Sequence, residues 1–464
     1  MLMFKKIPPL LVITIAILFS NCESNTDTTK TYFGGKIVNP KTDHVILFTN
    51  EIAIDTFFLD DDNKFIGEIK NAKEGLYYFI HGNENQHIYL EPRDSLLIRL
   101  NTWDFDESLV FSGKGGDRNN ILIDCFLENE KDDKLFYQYN KLNPKEFKRK
   151  IDSLKNSKLT TLHQYLETHP SETEGFAKTL KVALIYPLYA RIEKYPLVYS
   201  KHKGDENFVK LSADFYQHRE NIEFNNNSLM YYPPYSYYIR NYLYNKVYSK
   251  GHKLNKSNYT PEFTIDLLNI VNKEIKSEIT KNVFLKQTII THFYSKSSND
   301  LDANAFDRYF KLTTNKEDKI QIENLIDDTK AIEVGKEIND FILFDYANTA
   351  HSIKDIIKDR NTVLFFWNPD NVSEWYIKSR MEYLENTYEN IDFIQIKING
   401  DLTNKIDNLD IKNQYYLNSE SNAHSFLRSK MPRTILINKE GIVLNGYASI
   451  SAYNLTSYLE QLNN

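Results

Sequence analysis

Cys22 and Cys125 are the only cysteines in the chain. Neither belongs to a Cys-x-x-Cys pair, so spacing supports no dithiol and no zinc ribbon. The eleven histidines, from His44 to His424, occur singly, without the His-x-x-x-His spacing of a metal-binding helix. No Gly-x-Ser-x-Gly elbow offers a serine nucleophile. Asp60-Asp61-Asp62-Asn63 lacks the glycine and closing glutamate of a calcium loop and reads as a hairpin turn, because Asp and Asn favour turns. FSGKGGDRNN, Phe111 to Asn120, is glycine-rich but lacks the Gly-x-x-x-x-Gly-Lys-Ser/Thr pattern of a phosphate cradle, and reads as an exit loop. No metal and no cofactor is expected.

One stretch combines chemistry with a position suited to it: TVLFFWNPDNVSEW, Thr362 to Trp375. Thr362 to Trp367 is a continuous apolar run, as a central strand covered on both faces requires. A helix over Asn371 to Asn386 is expected next, with Trp375, Ile377, Met381 and Leu384 toward the sheet. Asn371 followed three residues later by Glu374 has capping-box spacing, with the carboxylate complementing the helix dipole. As a catalytic acid Glu374 would stand alone, and site chemistry needs convergent groups.

The chain's 464 residues imply two to four domains. Hydrophobic residues at 41% and charged residues at 26% describe a soluble globular protein. The formal charge is −6, and −8 without residues 1–21, whose only charges are Lys5 and Lys6. That balance excludes the basic footprint of a nucleic-acid partner.

From Tyr32 to about Gly113, short β-branched and aromatic runs alternate with Asp, Asn, Gly and Pro, which predicts an antiparallel sandwich of six to eight strands. From about Asn119 to Ile332 the period becomes helical. Ile121, Leu122, Cys125 and Phe126 form one predicted buried stripe, and Leu267, Leu268, Val271 and Ile275 another. Helix starts are predicted at Asn143-Pro144, Thr260-Pro261 and Ser171-x-x-Glu174. Met230 to Lys250 holds eight tyrosines. Packing between helices explains it better than a ligand face, though a surface for glycan or peptide through Tyr237 and Tyr238 stays open. Beyond residue 333 come an edge strand, a turn and short helix, the strand of Thr362, its helix, and a strand over Ile391 to Ile398. A polar loop with one helix is expected over Leu402 to Lys430. A hairpin (Thr434 to Ile437, Ile442 to Gly446) and a closing helix (Leu455 to Leu462) end the chain.

Two resemblances organise these elements. Lys5 and Lys6, the apolar run Ile7 to Phe19 and then Ser20-Asn21-Cys22 resemble the signal and lipobox of bacterial lipoproteins, with Asn21 a departure from the usual small residue. That resemblance implies a diacylated Cys22, a lipid-bilayer partner and residence in the cell envelope, most simply at the outer membrane, facing the periplasm or the cell surface. An uncleaved anchor or another cleavage site is the alternative. Gly335 to Phe341 (GKEINDF), Thr362 to Trp375 and KMPRTILINKEGIVLNG (Lys430 to Gly446) resemble TlpA-like thioredoxin-fold proteins over roughly residues 333–464. In that family's W-x-x-W-C-x-x-C run, Asn371 and Glu374 stand where the two cysteines would be. Pro432, after Met431, corresponds to the family's cis-proline, whose loop, near Trp367, presents backbone groups to a substrate polypeptide.

The expected architecture is multidomain α+β: a signal peptide (1–21), a tether (22–30), a β-sandwich (31–115), a helical domain (116–332) and a thioredoxin-like α/β domain (333–464). The function expected is non-catalytic, with Met431 and Pro432 retaining protein or peptide binding or serving a scaffold. The alternatives are a thiol–disulfide oxidoreductase by descent, working through Cys125 alone, and a surface glycan- or peptide-binding lipoprotein.

Overall fold

A computed structural model describes residues 30–463 except 51, 255–258, 297–300, 370, 400–404, 407–408 and 453–454. The expected signal peptide, the lipidated Cys22 and all of the tether but Lys30 lie outside the described residues. The chain forms two compact units. One runs to Leu127 and takes in Thr173–Phe176; the other holds Glu128–Glu172 and Ala177–Asn464. The described residues make a mixed α+β protein with three sheets. Among the described residues no helix is long and apolar enough to cross a membrane.

The described residues of the first unit hold eight strands: β1 (Thr31–Val38), β2 (His44–Thr49), β3 (Ile52–Phe58), β4 (Lys64–Ile69), β5 (Gly75–His81), β6 (Glu84–Leu90), β7 (Ser95–Asn101) and β8 (Val110–Lys114), with a one-turn helix α1 (Phe105–Ser108) before the last. They form two four-stranded sheets, β4-β1-β7-β8 and β3-β2-β5-β6. Alternation sends Phe33 and Ile37 of β1, Val45 and Leu47 of β2, and Leu96, Ile98 and Leu100 of β7 into one core. Gly35 lets β1 lie close to its neighbour, because a Cβ there would meet the Ile98 carbonyl oxygen at 2.2 Å.

Three expectations are corrected here. The strands are not all antiparallel, since β1 runs parallel to β7. Asp60 to Asn63 is a turn but not a hairpin: β3 and β4, which it joins, belong to different sheets. Its Asp60 carboxylate accepts the amides of Asp62 and Lys64, and Asn63 adopts the left-handed conformation that Asn tolerates. Phe111 to Asn120 is no exit loop, because it supplies β8 and opens the helix α2 (Gly116–Tyr139). Its polar residues complete the sheets. Asn119 bonds the amide and carbonyl of Tyr89, Asn120 does the same for Phe111, and Arg118 pairs with Glu91 and Asp94 at 3.0 Å each.

The helices continue as α3 (Pro144–Thr168), α4 (Glu174–Lys203), α5 (Pro233–Tyr248), α6 (Pro261–Glu274), α7 (Glu278–Lys296), α8 (Ala303–Leu312) and α9 (Lys316–Lys330). Asn143 and Thr260 cap α3 and α6, each followed by the proline that fits a first helical position. Leu267, Leu268, Val271 and Ile275 are buried as predicted. On α2 the stripe shifts: Leu122, Ile123 and Cys125 are buried, while Phe126 is 38% exposed. The tyrosines of α5 are mostly core. Tyr235, Tyr238, Tyr242 and Tyr248 are buried, with Tyr238 packed against Tyr186 and Tyr189.

A charged network fastens α4 to α5. The Glu193 carboxylate, fully buried, accepts a two-pronged pair from Arg219 (2.8 and 2.6 Å) and a bond from His218 (2.9 Å). Arg219 also reaches Asn245 and lies over the rings of Tyr216 and Tyr242. Burial alone would raise the Glu193 carboxyl, but the Arg219 and His218 bonds outweigh it and hold it below the usual value. A depressed carboxylate contributes stability above its unfolded pKa, about 4.3, and loses it as pH falls further. Arg219→Met strands the buried charge and is expected to cost about 3 kcal/mol in urea unfolding at neutral pH. The variant should also lose part of the wild-type decline in stability on acidification.

The second unit closes with β9 (Ile342–Phe344), β10 (Ala350–Ser352), α10 (Ile353–Ile356), β11 (Asn361–Trp367), α11 (Glu374–Thr387), β12 (Ile391–Lys397), β13 (Gln414–Tyr416), β14 (Arg433–Ile437), β15 (Val443–Ala448) and α12 (Leu455–Asn463). Their sheet has the order β10-β9-β13-β12-β11-β14-β15. β11 lies parallel to β12 and antiparallel to β14, which turns back as β15. One face carries Leu364, Phe366, Ile396 and Ile435. The other packs Val363, Phe365 and Trp367 against α11 and α12. In place of the helix expected between Leu402 and Lys430, the described residues hold β13 and two short 3-10 turns, Ile411–Asn413 and Asn422–Phe426.

Candidate functional site

β11 delivers the chain to the position where the resemblance places a redox centre. After Trp367 it turns: the amides of Asn371 and Val372 both donate to the Asn368 carbonyl, at 2.9 and 3.0 Å. Only then does α11 begin. Its N-cap is Ser373, whose hydroxyl accepts from the Tyr376 amide, and not Asn371 as the spacing suggested. The turn consumes Asn371's backbone, and Glu374 falls at the first helical position, where a carboxylate still complements the dipole. Trp375 projects outward, 68% exposed, so the sheet-facing stripe is Ile377, Met381 and Leu384.

The site residues converge in part. The Asn371 side-chain amide donates to the Lys430 carbonyl at 3.4 Å, which brings Asn371 beside the Met431–Pro432 loop. Glu374 lies 3.6 Å from the ammonium of Lys397, a buried lysine stacked over the Trp367 ring at 5.0 Å. Trp367 itself is 1% exposed and offers nothing to a ligand. No cis peptide occurs among the described residues, so the Met431–Pro432 bond is trans. Trans is the cheaper X-Pro isomer by about 0.5–1 kcal/mol, and this loop makes its contacts within the chain.

Those contacts come from residues the sequence reading passed over. Tyr294 of α7 donates its hydroxyl to the Pro432 carbonyl at 2.7 Å. Asp328 of α9 accepts the amides of Arg428 and Ser429, one on each carboxylate oxygen, both at 2.9 Å. Gln321 of α9 donates to the Ser429 carbonyl at 3.4 Å and touches the Met431 sulfur. Beneath the loop, Arg433 is fully buried; it donates to the carbonyls of Gly446 (2.7 Å) and Phe426 (2.6 Å) between the rings of Tyr447 and Phe426. Burial brings its pKa down to about 10, against the pull of Tyr447, Asp328 and Tyr294. Burial also lifts the Tyr294 hydroxyl well above its usual value. Phe293 of α7 meets Tyr447 edge-on at 4.8 Å. The amides of Arg428 and Ser429 and the carbonyls of Ser429 and Pro432 are thus engaged by side chains of α7 and α9.

Two signals for this clamp were present in the sequence. Asp327 and Asp328 fall in the last turn of α9, where the dipole disfavours acids and an outside partner is needed to compensate. Arg433 opens a strand that is otherwise Thr-Ile-Leu-Ile. Elsewhere, Cys125 is buried in α2, and of the two tyrosines nominated as a ligand face only Tyr237 is exposed, at 45%.

No family model and no curated protein sequence matches the chain. Solved structures do. The thioredoxin domain of a thiol-disulfide oxidoreductase from Bacteroides vulgatus aligns over 27% of this chain and 97% of its own, at 17% identity and a TM-score of 0.22. A thiol:disulfide interchange protein from Bacteroides sp. aligns over 29% and 93%, at 19% identity and 0.23. A thiol peroxidase from Chromobacterium violaceum aligns over 28% and 85%, at 11% identity and 0.23. The strand order β12-β11-β14-β15, with α11 rising from the end of β11, remains the ground for describing this module as thioredoxin-like.

The cap assignment has a direct check. Ser373→Ala is expected to cost about 1 kcal/mol in denaturant unfolding, whereas Asn371→Ala should cost under about 0.5 kcal/mol. Equal losses would return the cap to Asn371.

Proposed function

We propose that this chain is an envelope lipoprotein, anchored through an acylated Cys22, whose thioredoxin-like domain is a scaffold without redox chemistry. The observation that carries the reading is the clamp of Tyr294 and Asp328 on residues 428–432. A loop that would pair with a substrate polypeptide has its backbone groups taken by helices of the same unit. Asn371 and Glu374, at the cysteine-equivalent positions, carry no thiol, and Ser373 caps the start of the helix. The clamp moves the balance from peptide binding at Pro432 toward internal support: the sheet becomes the platform on which α7 and α9 rest.

An insulin-reduction assay on the chain from residue 22 onward tests the redox part. Turnover no faster than the uncatalysed rate is expected; turnover abolished by Cys125→Ser would instead make the chain a one-thiol oxidoreductase. Amide hydrogen exchange tests the clamp. Each amide on a carboxylate gains about 1.5–3 kcal/mol, so Asp328→Ala should speed exchange at Arg428 and Ser429 by roughly 10- to 100-fold. Exchange at those amides already fast in the wild type would mean the loop is open and peptide binding regains its footing.

A further inference from the structure

The outward face of the sheet β4-β1-β7-β8 carries charges in an unusual order. Lys36 on β1 sits directly opposite Lys64 on β4 and directly opposite Arg99 on β7. Three cations thus occupy one cross-strand row, and all three are exposed. Side chains in such pairs stand about 5 Å apart at Cβ, and like charges there are destabilising. Asp62 neutralises Lys64 at 2.9 Å, and on the same face Glu68 pairs with Lys30. Among the described residues Lys36 and Arg99 form no ion pair, and a chain of net charge −6 has carboxylates enough to supply one. The neighbouring row is apolar: Ile66 and Leu97 flank Gly34 and are 60% and 38% exposed. Gly34 puts no side chain between them, and a Cβ there would meet the Phe65 carbonyl oxygen at 2.7 Å.

We propose that this face rests on an anionic phospholipid surface, Lys36 and Arg99 meeting headgroup phosphates while Ile66 and Leu97 enter the apolar edge of the layer. Charge complementarity selects that occupant, and so does chain length. Eight residues separate Cys22 from Thr31, where β1 of this same sheet begins. Fully extended they reach about 30 Å, so an acylated Cys22 holds the start of β1 within about that distance of the bilayer. The inference rests on the anchored reading above, and adds which lipid charge the domain meets and through which strands.

Co-sedimentation of the full chain from residue 22, carrying Cys22→Ala, with phosphatidylglycerol–phosphatidylcholine vesicles provides the test. Binding to these vesicles is expected to exceed binding to pure phosphatidylcholine and to weaken with salt. Each cation near the surface is worth about fivefold, so Lys36→Ala with Arg99→Ala should weaken binding roughly 25-fold. Both residues are exposed, and Lys36→Ser alone, which relieves the row, should unfold no earlier than wild type while weakening binding about fivefold. Equal binding to neutral vesicles, or anionic binding indifferent to Lys36 and Arg99, overturns the proposal. So does capture of polyglutamate through the same residues without vesicle binding, which would assign the face to an acidic protein. Anchoring is read separately, from whether Cys22→Ala releases the full-length protein from cell membranes. Failure there overturns the lipoprotein reading and leaves the vesicle result to decide this one.

Discussion

The second unit depends on one carboxylate. Asp328 stands at the end of α9, against the helix dipole, and accepts two consecutive backbone amides from the loop before β14. It also supplies negative charge near Arg433, which is buried with two carbonyl bonds and two aromatic faces and, among the described residues, no ion pair to a carboxylate. A buried cation that loses its nearby anion is costly, commonly several kcal/mol. Docking of α9 therefore favours the buried Arg433 charge, and the loop amides in turn compensate the aspartates in the last turn of α9. Each half compensates a charge that would be unfavourable in the other. That reciprocity is one of the links between α9 and the sheet within their shared compact unit.

How far the sequence predicts helix starts depends on what precedes the cap. Asn143 and Thr260 are each followed at once by proline, and the structure starts α3 and α6 there. The two capping-box readings, Ser171…Glu174 and Asn371…Glu374, both place the cap two residues early. The reason is shared. His169-Pro170 and Asn368-Pro369 each begin a turn, closed by the Glu172 amide on His169 and the Asn371 amide on Asn368. Proline favours the second position of such turns. The turn occupies the backbone of the first candidate, and the next hydroxyl, Thr173 or Ser373, accepts from the helix instead. A Ser, Thr or Asn lying within three residues after X-Pro is thus a poor cap when another follows it.

The sheet of the thioredoxin-like module was legible because its strands are short, apolar and separated by clear turns; β11, β12 and β14 fall within a residue or two of expectation. Faces were less legible than elements. Phe126 and Trp375 are large and apolar yet exposed, and Trp367, placed by resemblance near a ligand loop, is sealed under α11. What periodicity could not reach was the clamp, since Tyr294 and Pro432 are 138 residues apart and Asp328 and Ser429 are 101. Helical period tells which side of α7 or α9 is buried and is silent on what buries it.

Pro432 has a local explanation that needs no ligand. It lies between Met431 and Arg433, both buried, in a loop packed from above by α7 and α9. Any other residue there would bring a backbone N–H into that packing, and an orphaned buried donor costs about 1–3 kcal/mol. Proline has no such group. It leaves a single carbonyl to satisfy, and the Tyr294 hydroxyl satisfies it at 2.7 Å.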